Sequence, residues 1–178
     1  MLGVAVSSVS KWIDEDKLMA GRTPGGHRRI EKDDLIRFVR EQKLRFPAEL
    51  QAPSPKVLIA DDEKPFTKWL AEEIGERYPG IEVLFAHDGY SAGEMIGLTK
   101  PDVVILDLHM PGIDGFEVCR RIHSNPLIAH VRVIAVTGDA SPLVRNRILK
   151  LGACVCLVKP FDSAVILAEI VKAIGLPA

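Results

Sequence analysis

The chain has 178 residues, with 47% hydrophobic and 26% charged side chains and a formal net charge of −1. This composition is that of an ordinary globular protein, and the length allows one domain or two small ones. No apolar run approaches the length that spans a bilayer, and the N-terminus lacks the zones of a secretion signal. We therefore expect a cytoplasmic protein without membrane contact.

Charge is distributed unevenly along the chain, with a basic segment near its start. The first 50 residues contain ten Lys and Arg against eight Asp and Glu, and four of those cations lie from Arg22 to Lys32 beside one acid. The local cluster says more about partners than the total, because a sum near zero averages over opposite regions. It favours contact with phosphate groups.

Residues 7–43 have the pattern of a helix, a hairpin and a second helix. Helix-capping serines begin the segment from Ser7 to Glu15, whose apolar residues recur on one side. Glycine and proline in 23–26, the run Thr23-Pro24-Gly25-Gly26, predict a hairpin turn between short strands. A closing helix is predicted over 31–43. The side chains predicted to form the small core are Val9, Trp12, Ile13, Leu35, Phe38 and Val39.

This pattern resembles the winged helix-turn-helix DNA-binding domains of the excisionase and MerR type, which share a Trp-Ile helix core and the Arg-Thr-Pro-Gly-Gly-His-Arg-Arg run found here at 22–29. The resemblance implies double-stranded DNA as a partner, with a helix in the major groove and the hairpin on phosphates or in the minor groove. Members begin with a full helix of which only the last turn is present, so we expect an incomplete first helix. The predicted DNA contacts are Ser7, Ser8, Ser10, Lys11, Arg22, Thr23, His27, Arg28 and Arg29. The alternative is a solvated basic hairpin.

The chain is expected to divide into a DNA-binding domain at 1–45, a linker at 46–55 and a second domain at 56–178. Three prolines fall between residues 45 and 55, where they stiffen the connection.

Four short apolar runs of the second domain each end in polar side chains. The runs begin at Lys56, Val103, Arg132 and Cys154, and they suit strands buried on both faces. Ligands of an open parallel α/β sheet bind at the carboxyl ends of its strands. The polar side chains brought to that edge are Asp61, Asp62, Asp107, Thr137 and Lys159. Each signal alone is more often a turn or a cap, but four in order at four strand ends are specific.

Three carboxylates at one edge would repel one another and raise their pKa values unless a cation lies among them. Oxygen ligands with room left for water suit Mg²⁺ better than zinc. A carboxylate beside a metal, an ammonium and a hydroxyl predicts phosphoryl transfer. Asp107 would attack, Lys159 would neutralise charge with the metal, and Thr137 would bond a phosphoryl oxygen. The product would be an aspartyl phosphate.

Residues 56–176 resemble a response-regulator receiver domain. The motifs that carry the resemblance are Asp61-Asp62, Asp107-x-x-Met110-Pro111-x-x-Asp114-Gly115, Thr137-Gly138 and Lys159-Pro160-Phe161. It implies that Asp107 is the phosphoacceptor, that Thr137 and Lys159 contact the phosphoryl group, and that the bond before Pro160 is cis. It also implies a Mg²⁺ site formed by Asp61, Asp62, Asp107 and the backbone carbonyl of His109.

Regular βα alternation predicts an α/β fold, a five-stranded doubly wound parallel sheet of the flavodoxin-like kind. Besides the four runs, a strand is predicted at 81–85 and helices at 91–98, 116–122, 142–149 and 164–174, with a helix striped by Phe66, Leu70 and Ile74 after the first strand.

The three cysteines do not form a disulfide framework. Cys154 and Cys156 lie two apart on a predicted strand, so both are expected on one buried face, and Cys119 is expected on a helix. Cys156 stands where receivers commonly carry a large aromatic, so the usual hydroxyl-and-aromatic switch is not expected intact.

The function predicted is that of a two-component response regulator that controls DNA binding and transcription. A sensor histidine kinase phosphorylates Asp107, the receiver forms a homodimer, and paired DNA-binding units engage DNA. One alternative is a phosphotransfer or protein-docking adaptor whose N-terminal unit does not bind DNA. Another is a DNA-binding protein whose receiver is a constitutive dimer module. An enzyme acting on small molecules is not expected, because no Gly-rich nucleotide cradle is present.

Overall fold

The computed structural model describes residues 6–23, 26–42 and 54–175. Contacts between Cα atoms divide the chain into two compact units, Met1–Pro53 and Ser54–Ala178, which are described separately below. The predicted first-helix remnant before residue 6, Pro24-Gly25 of the predicted turn and the predicted linker as far as residue 53 lie outside the described residues. No helix among the described segments combines the length and hydropathy needed to cross a membrane.

The N-terminal unit contains two helices and a two-stranded hairpin. Helix α1 spans Val6–Asp14, strands β1 (Gly21–Arg22) and β2 (Arg28–Arg29) pair antiparallel, and helix α2 spans Lys32–Glu41. Leu18, Phe38 and Val39 are buried, and the predicted core residues Val9, Trp12, Ile13 and Leu35 pack against them. The rings of Trp12 and Phe38 lie 5.0 Å apart between centroids. The predicted order of helix, hairpin and helix is therefore present.

The C-terminal unit alternates strands and helices along the chain. Its strands are β3 (Lys56–Ala60), β4 (Glu82–Ala86), β5 (Val103–Asp107), β6 (Arg132–Thr137) and β7 (Val155–Val158). Its helices are α3 (Lys64–Arg77), α4 (Gly89–Thr99), α5 (Gly115–Ser124), α6 (Pro142–Lys150) and α7 (Ser163–Ile174). Four helices begin at a side chain that caps a backbone N–H, from Asp88, Asp114, Ser141 and Asp162.

The five strands form one parallel sheet in the order β4-β3-β5-β6-β7. Side chains alternate across the central strand β5, so Val104 and Leu106 join the core beneath α4, α5 and α6, while Val103 and Ile105 join the core beneath α3 and α7. Both faces are covered, which is why the strands are almost continuously apolar. All five strands end at one edge, and the polar residues of the predicted site lie there.

The prediction for Cys154 was wrong. Cys154 is exposed and precedes strand β7, whereas Cys156 is buried within it. The strand begins one residue later than predicted, so the alternation of faces does not extend back to Cys154. Cys119 is buried on α5, as expected.

Candidate functional site

An ammonium group joins three carboxylates at the carboxyl edge of the sheet. Nζ of Lys159 lies 2.7 Å from Oδ2 of Asp61, 3.1 Å from Oε1 of Glu63 and 3.2 Å from Oδ1 of Asp107. Asp61 follows β3, Asp107 ends β5 and Lys159 follows β7, so the parallel sheet brings together residues far apart in sequence. The Asp61 side chain is fully buried and that of Asp107 is 7% exposed. The predicted convergence of these three residues is confirmed.

Burial and charge act in opposite directions on the pKa values of this cluster. Burial of the ammonium would lower the pKa of Lys159, but the hydrogen bond to Asp61 and the charges of Asp107 and Asp61 outweigh it and hold that pKa above its usual range. Burial raises the pKa of Asp61, even though Lys159 and the backbone N–H of Glu63 favour its ionised form. One cation therefore does not fully compensate the buried Asp61 carboxylate.

Asp107 is held from two sides, which fixes the carboxylate at the mouth of the site. Its Oδ2 accepts a hydrogen bond of 2.6 Å from the backbone N–H of His109, while Oδ1 faces Lys159. The hydroxyl oxygen of Thr137 accepts a bond of 3.0 Å from the backbone N–H of Asp139 and lies 3.5 Å from Nδ1 of His109. The Thr137 side chain is itself fully buried, next to the backbone of Asp139 and the ring of His109.

The backbone next to Lys159 departs from regular strand geometry. The peptide bond between Lys159 and Pro160 is cis, as predicted, and the backbone N–H of Lys159 donates to the carbonyl of Thr137 at 2.8 Å. This bond continues the pairing of β6 with β7 past the end of the strands. The lysine backbone is therefore anchored to the neighbouring strand that carries Thr137.

The arrangement of oxygen atoms suits a hard divalent cation. Asp62, Glu63, Asp107, His109 and Lys159 line an open cleft of about 580 Å³, together with Gly138 and Asp139. Within the described ranges, no three His, Cys, Asp or Glu side chains are gathered closely enough to enclose a metal. Mg²⁺ keeps several of its own waters when bound, so a site of carboxylates and a carbonyl need not enclose it with side chains. The incompletely compensated charge of Asp61 fits such an ion.

The two adjacent aspartates have different environments, a difference that the sequence did not reveal. Asp61 is buried and bonded to Lys159, whereas Asp62 is exposed and lines the cleft. Glu63, absent from the predicted site, contacts Lys159. The run of three acids directly after a strand was the available signal for Glu63.

Cys156 occupies a buried position on β7, and burial raises the pKa of its thiol.

Helices α5 and α6 meet through a cation–π contact. The guanidinium of Arg147 on α6 lies 4.0 Å from the centroid of the Phe116 ring. Phe116 is the second residue of α5 and follows the loop after Asp107. Helix α6 therefore contacts an element attached to the site through a cation–π pair.

The candidate DNA contacts of the N-terminal unit differ in exposure. Ser7 and Lys11 are exposed on α1, while Ser8 and Ser10 are half-buried. Arg22, His27 and Arg29 are exposed on the hairpin. Thr23 is half-buried, and its hydroxyl accepts a bond from the N–H of His27. These side chains all lie on α1 or the hairpin.

Arg28 differs from the other arginines of the hairpin because its guanidinium bonds to helix α1. Its Nη2 lies 2.5 Å from Oδ1 of Asp14, and its Nη1 donates to the carbonyl of Ser10 at 3.2 Å. Its role as a DNA contact stays a prediction.

Comparison with known proteins agrees with the geometry of the C-terminal unit. A parallel five-stranded sheet with buried aspartates and a lysine at its carboxyl edge defines a doubly wound α/β domain whose polar site lies where such domains bind ligands. Residues 57–171 match the family model of the response regulator receiver domain, and the chain belongs to that family. Residues 1–43 match the model of a helix-turn-helix domain.

Similar proteins include response regulator PleD of Caulobacter vibrioides, 33% identical over 117 residues, which are 66% of this chain and 25% of PleD. The chain thus spans about a quarter of the length of that relative. The signal receiver domain of a DNA binding response regulator protein (merR) from Colwellia psychrerythraea is 36% identical, with a TM-score of 0.65 over 68% of this chain and 98% of that one. CheY in the CheX-CheY-BeF3-Mg complex of Borrelia burgdorferi is 27% identical, with a TM-score of 0.61 over 67% and 89%.

Proposed function

We propose that the protein is a DNA-binding response regulator whose Asp107 accepts a phosphoryl group from a sensor histidine kinase. The observation that carries the proposal is the placement of the Asp107 carboxylate, with Oδ1 on the Lys159 ammonium at 3.2 Å and Oδ2 on the His109 backbone N–H at 2.6 Å, in the lining of the cleft. A carboxylate held in this way has the fixed orientation that a nucleophile needs.

In the reaction, a carboxylate oxygen of Asp107 forms a bond to phosphorus as the bond from phosphorus to the histidine nitrogen of the donor breaks. Lys159 compensates the negative charge that gathers on the phosphoryl oxygens, and the Thr137 hydroxyl donates a hydrogen bond to one of them. Asp61, Asp62, Asp107 and the His109 carbonyl would hold Mg²⁺, which supplies further charge neutralisation when bound. The His109 N–H keeps the acceptor carboxylate in place.

The phosphorylation step is tested by exposing the full chain to a small phosphoryl donor such as acetyl phosphate with Mg²⁺. Intact-protein mass spectrometry should find one labile phosphoryl group on the wild type and none on Asp107→Asn. Asp88→Asn is the matched control. It makes the same chemical change at the residue that caps the start of α4, where Asn caps a helix as well as Asp does. A phosphoryl group on Asp107→Asn at the wild-type level would refute the assignment.

The N-terminal unit is proposed to act as a winged helix-turn-helix module on double-stranded DNA. Exposed cations on two of its elements support this role: Lys11 on α1 and Arg22 and Arg29 on the hairpin. Binding driven by phosphate contacts falls steeply with salt, because counterions are released from DNA. Titration of a mixed-sequence duplex over a salt series should give such a slope. A complete lack of duplex binding at low salt would favour the adaptor function instead.

Phosphorylation is proposed to promote a homodimer through the receiver. Leu143 on α6 is 80% exposed, and Arg145 and Lys150 of the same helix are also exposed, so this helix offers apolar and charged surface together. Sedimentation with Mg²⁺, with and without beryllofluoride, tests the proposal. A monomer that becomes a dimer on binding the analogue supports the proposal. If the oligomeric state does not change although the analogue is bound, Asp107 does not control dimerisation.

A further inference from the structure

The guanidinium of Arg28 connects the hairpin to the end of α1. Asp14 is the last residue of that helix, and Ser10 lies one turn before it. The guanidinium reaches both, at 2.5 Å and 3.2 Å, although Arg28 is 14 residues from Asp14 and 18 residues from Ser10 in sequence. Two separate nitrogen atoms make these bonds, a fork that lysine cannot reproduce.

The position of the acceptors strengthens the connection. Carbonyl groups at the C-terminal end of a helix carry partial negative charge, and a cation placed there is favoured. The Asp14 carboxylate adds a full negative charge at the same point. The Arg28 side chain is 34% exposed, against 72% for its neighbour Arg29, so Arg28 is the more enclosed of the two.

The hairpin is short, and the residues that flank it are held by the core, because Leu18 is buried and Ile30 packs against the same cluster. Its strands have two residues each and pair at two positions. Two further backbone bonds close the turn, from the N–H of Thr23 to the carbonyl of His27 and from the N–H of Gly26 to the carbonyl of Thr23. An isolated two-stranded hairpin is marginal in water, because so short a ladder does not offset the entropy of ordering it. The hairpin therefore depends on contacts with the rest of the unit, and Arg28 supplies a polar one.

We propose that Arg28 is a positioning residue, which holds the hairpin against α1 with Asp14 as its anchor so that Lys11, Arg22 and Arg29 meet DNA together. The inference rests on the proposed DNA-binding function. Arg28 acts through the geometry of the hairpin, and the phosphate contacts belong to the more exposed cations. Asp14 has the corresponding role, although its charge by itself repels DNA.

Because the Asp14 charge repels DNA, its removal changes DNA affinity in opposite directions according to whether charge or hairpin geometry dominates. Asp14→Asn removes a negative charge, so a purely electrostatic account predicts tighter binding to duplex. Loss of the charged anchor predicts weaker binding, by about threefold for a partly exposed ion pair. The matched control is Asp16→Asn, which removes the same charge two residues later, where the backbone φ of 54° suits Asn.

The measurement is the affinity of the full chain for a fluorescently labelled mixed-sequence duplex over a salt series. Asp14→Asn should bind more weakly than Asp16→Asn with an unchanged salt slope, whereas Arg22→Ala should lower that slope by about 0.9. Adding Asp14→Asn to Arg28→Ala should weaken binding no further than Arg28→Ala alone, because the partner of Asp14 is then already absent. Equal or tighter binding by Asp14→Asn would overturn the proposal.

A second measurement separates this inference from the proposed function. Amide hydrogen exchange at Thr23 and His27 in the DNA-free protein should be about threefold faster or more in Asp14→Asn and unchanged in Asp16→Asn. If the wild type does not bind duplex at all, DNA binding fails, while exchange still decides whether Arg28 holds the hairpin. Unchanged exchange in Asp14→Asn overturns the positioning role, whatever the DNA result.

Discussion

Replacement of Gly115 by alanine should destabilise the receiver at the turn that follows Asp107. An added Cβ at Gly115 would lie 2.2 Å from the carbonyl oxygen of Asp107 and 2.9 Å from the Cα of Leu108. Both neighbours are backbone atoms, so no side chain can rotate away, and the start of α5 must move from the end of β5. That movement also stretches the 3.3 Å bond from the N–H of Gly115 to the carbonyl of Leu108.

Overpacking of this kind costs about 2 kcal/mol of unfolding free energy. For a unit of this size, that loss lowers the melting temperature by about 8 °C. Urea unfolding and calorimetry of the full chain measure both quantities. Because Trp69 lies in the receiver and Trp12 in the N-terminal unit, fluorescence in a Trp12→Phe background reports the receiver alone.

Gly75→Ala is the matched control, since Gly75 lies within α3 and an added Cβ there meets nothing within 4 Å. Alanine in an open helical position is favoured over glycine by about 0.5–1 kcal/mol, so this variant should gain stability. If Gly115→Ala were as stable as the wild type or Gly75→Ala, the reasoning from backbone contact at Gly115 would be wrong.

Two further predictions concern ionisable groups. Burial raises the pKa of Asp61, so the folded state binds that proton more tightly than the unfolded chain and stability is lost as pH rises above the ordinary aspartate range. With metal chelated at neutral pH, thermal melts should therefore find Asp61→Asn more stable than the wild type, and added Mg²⁺ should stabilise the wild type more than the variant. If Asp61→Asn were less stable than the wild type in the presence of chelator, burial of the ionised Asp61 carboxylate would not be destabilising. Burial also raises the pKa of Cys119 to about 11, and Cys156 is buried as well. Mass spectrometry after native alkylation should find label on the exposed Cys154 alone, with all three thiols reacting after unfolding; early label on Cys119 would refute the assigned packing.

Much of the receiver could be predicted from sequence because its pattern is strong. Buried parallel strands are short apolar runs, and each observed strand begins and ends within about a residue of the predicted one. The site followed from the same pattern, since parallel strands necessarily end at one edge. The cis bond at Pro160 was implied by the family resemblance and is present.

Other features depend on contacts that a linear pattern does not contain. Asp61 and Asp62 are chemically identical neighbours, and only the direction in which the chain leaves β3 makes one buried and the other exposed. Cys154 is exposed although its backbone N–H donates to the carbonyl of Val133 on β6, because the regular alternation of faces begins only at Val155. The bond from Arg28 to Asp14 joins two charged residues whose sequence spacing carries no signal.

The sheet order bears on the proposed phosphoryl acceptance. Asp61 and Lys159 are separated by 98 residues, and β5 and β6 lie between the strands that carry them. During synthesis, Asp107 leaves the ribosome well before Lys159, so an unfinished chain holds the Asp107 carboxylate without its ammonium partner. Under the proposed function, such a chain has no assembled site for a kinase. Phosphoryl transfer is then expected only in molecules that have paired their last strand, which would make the chemistry of the cleft depend on completed folding.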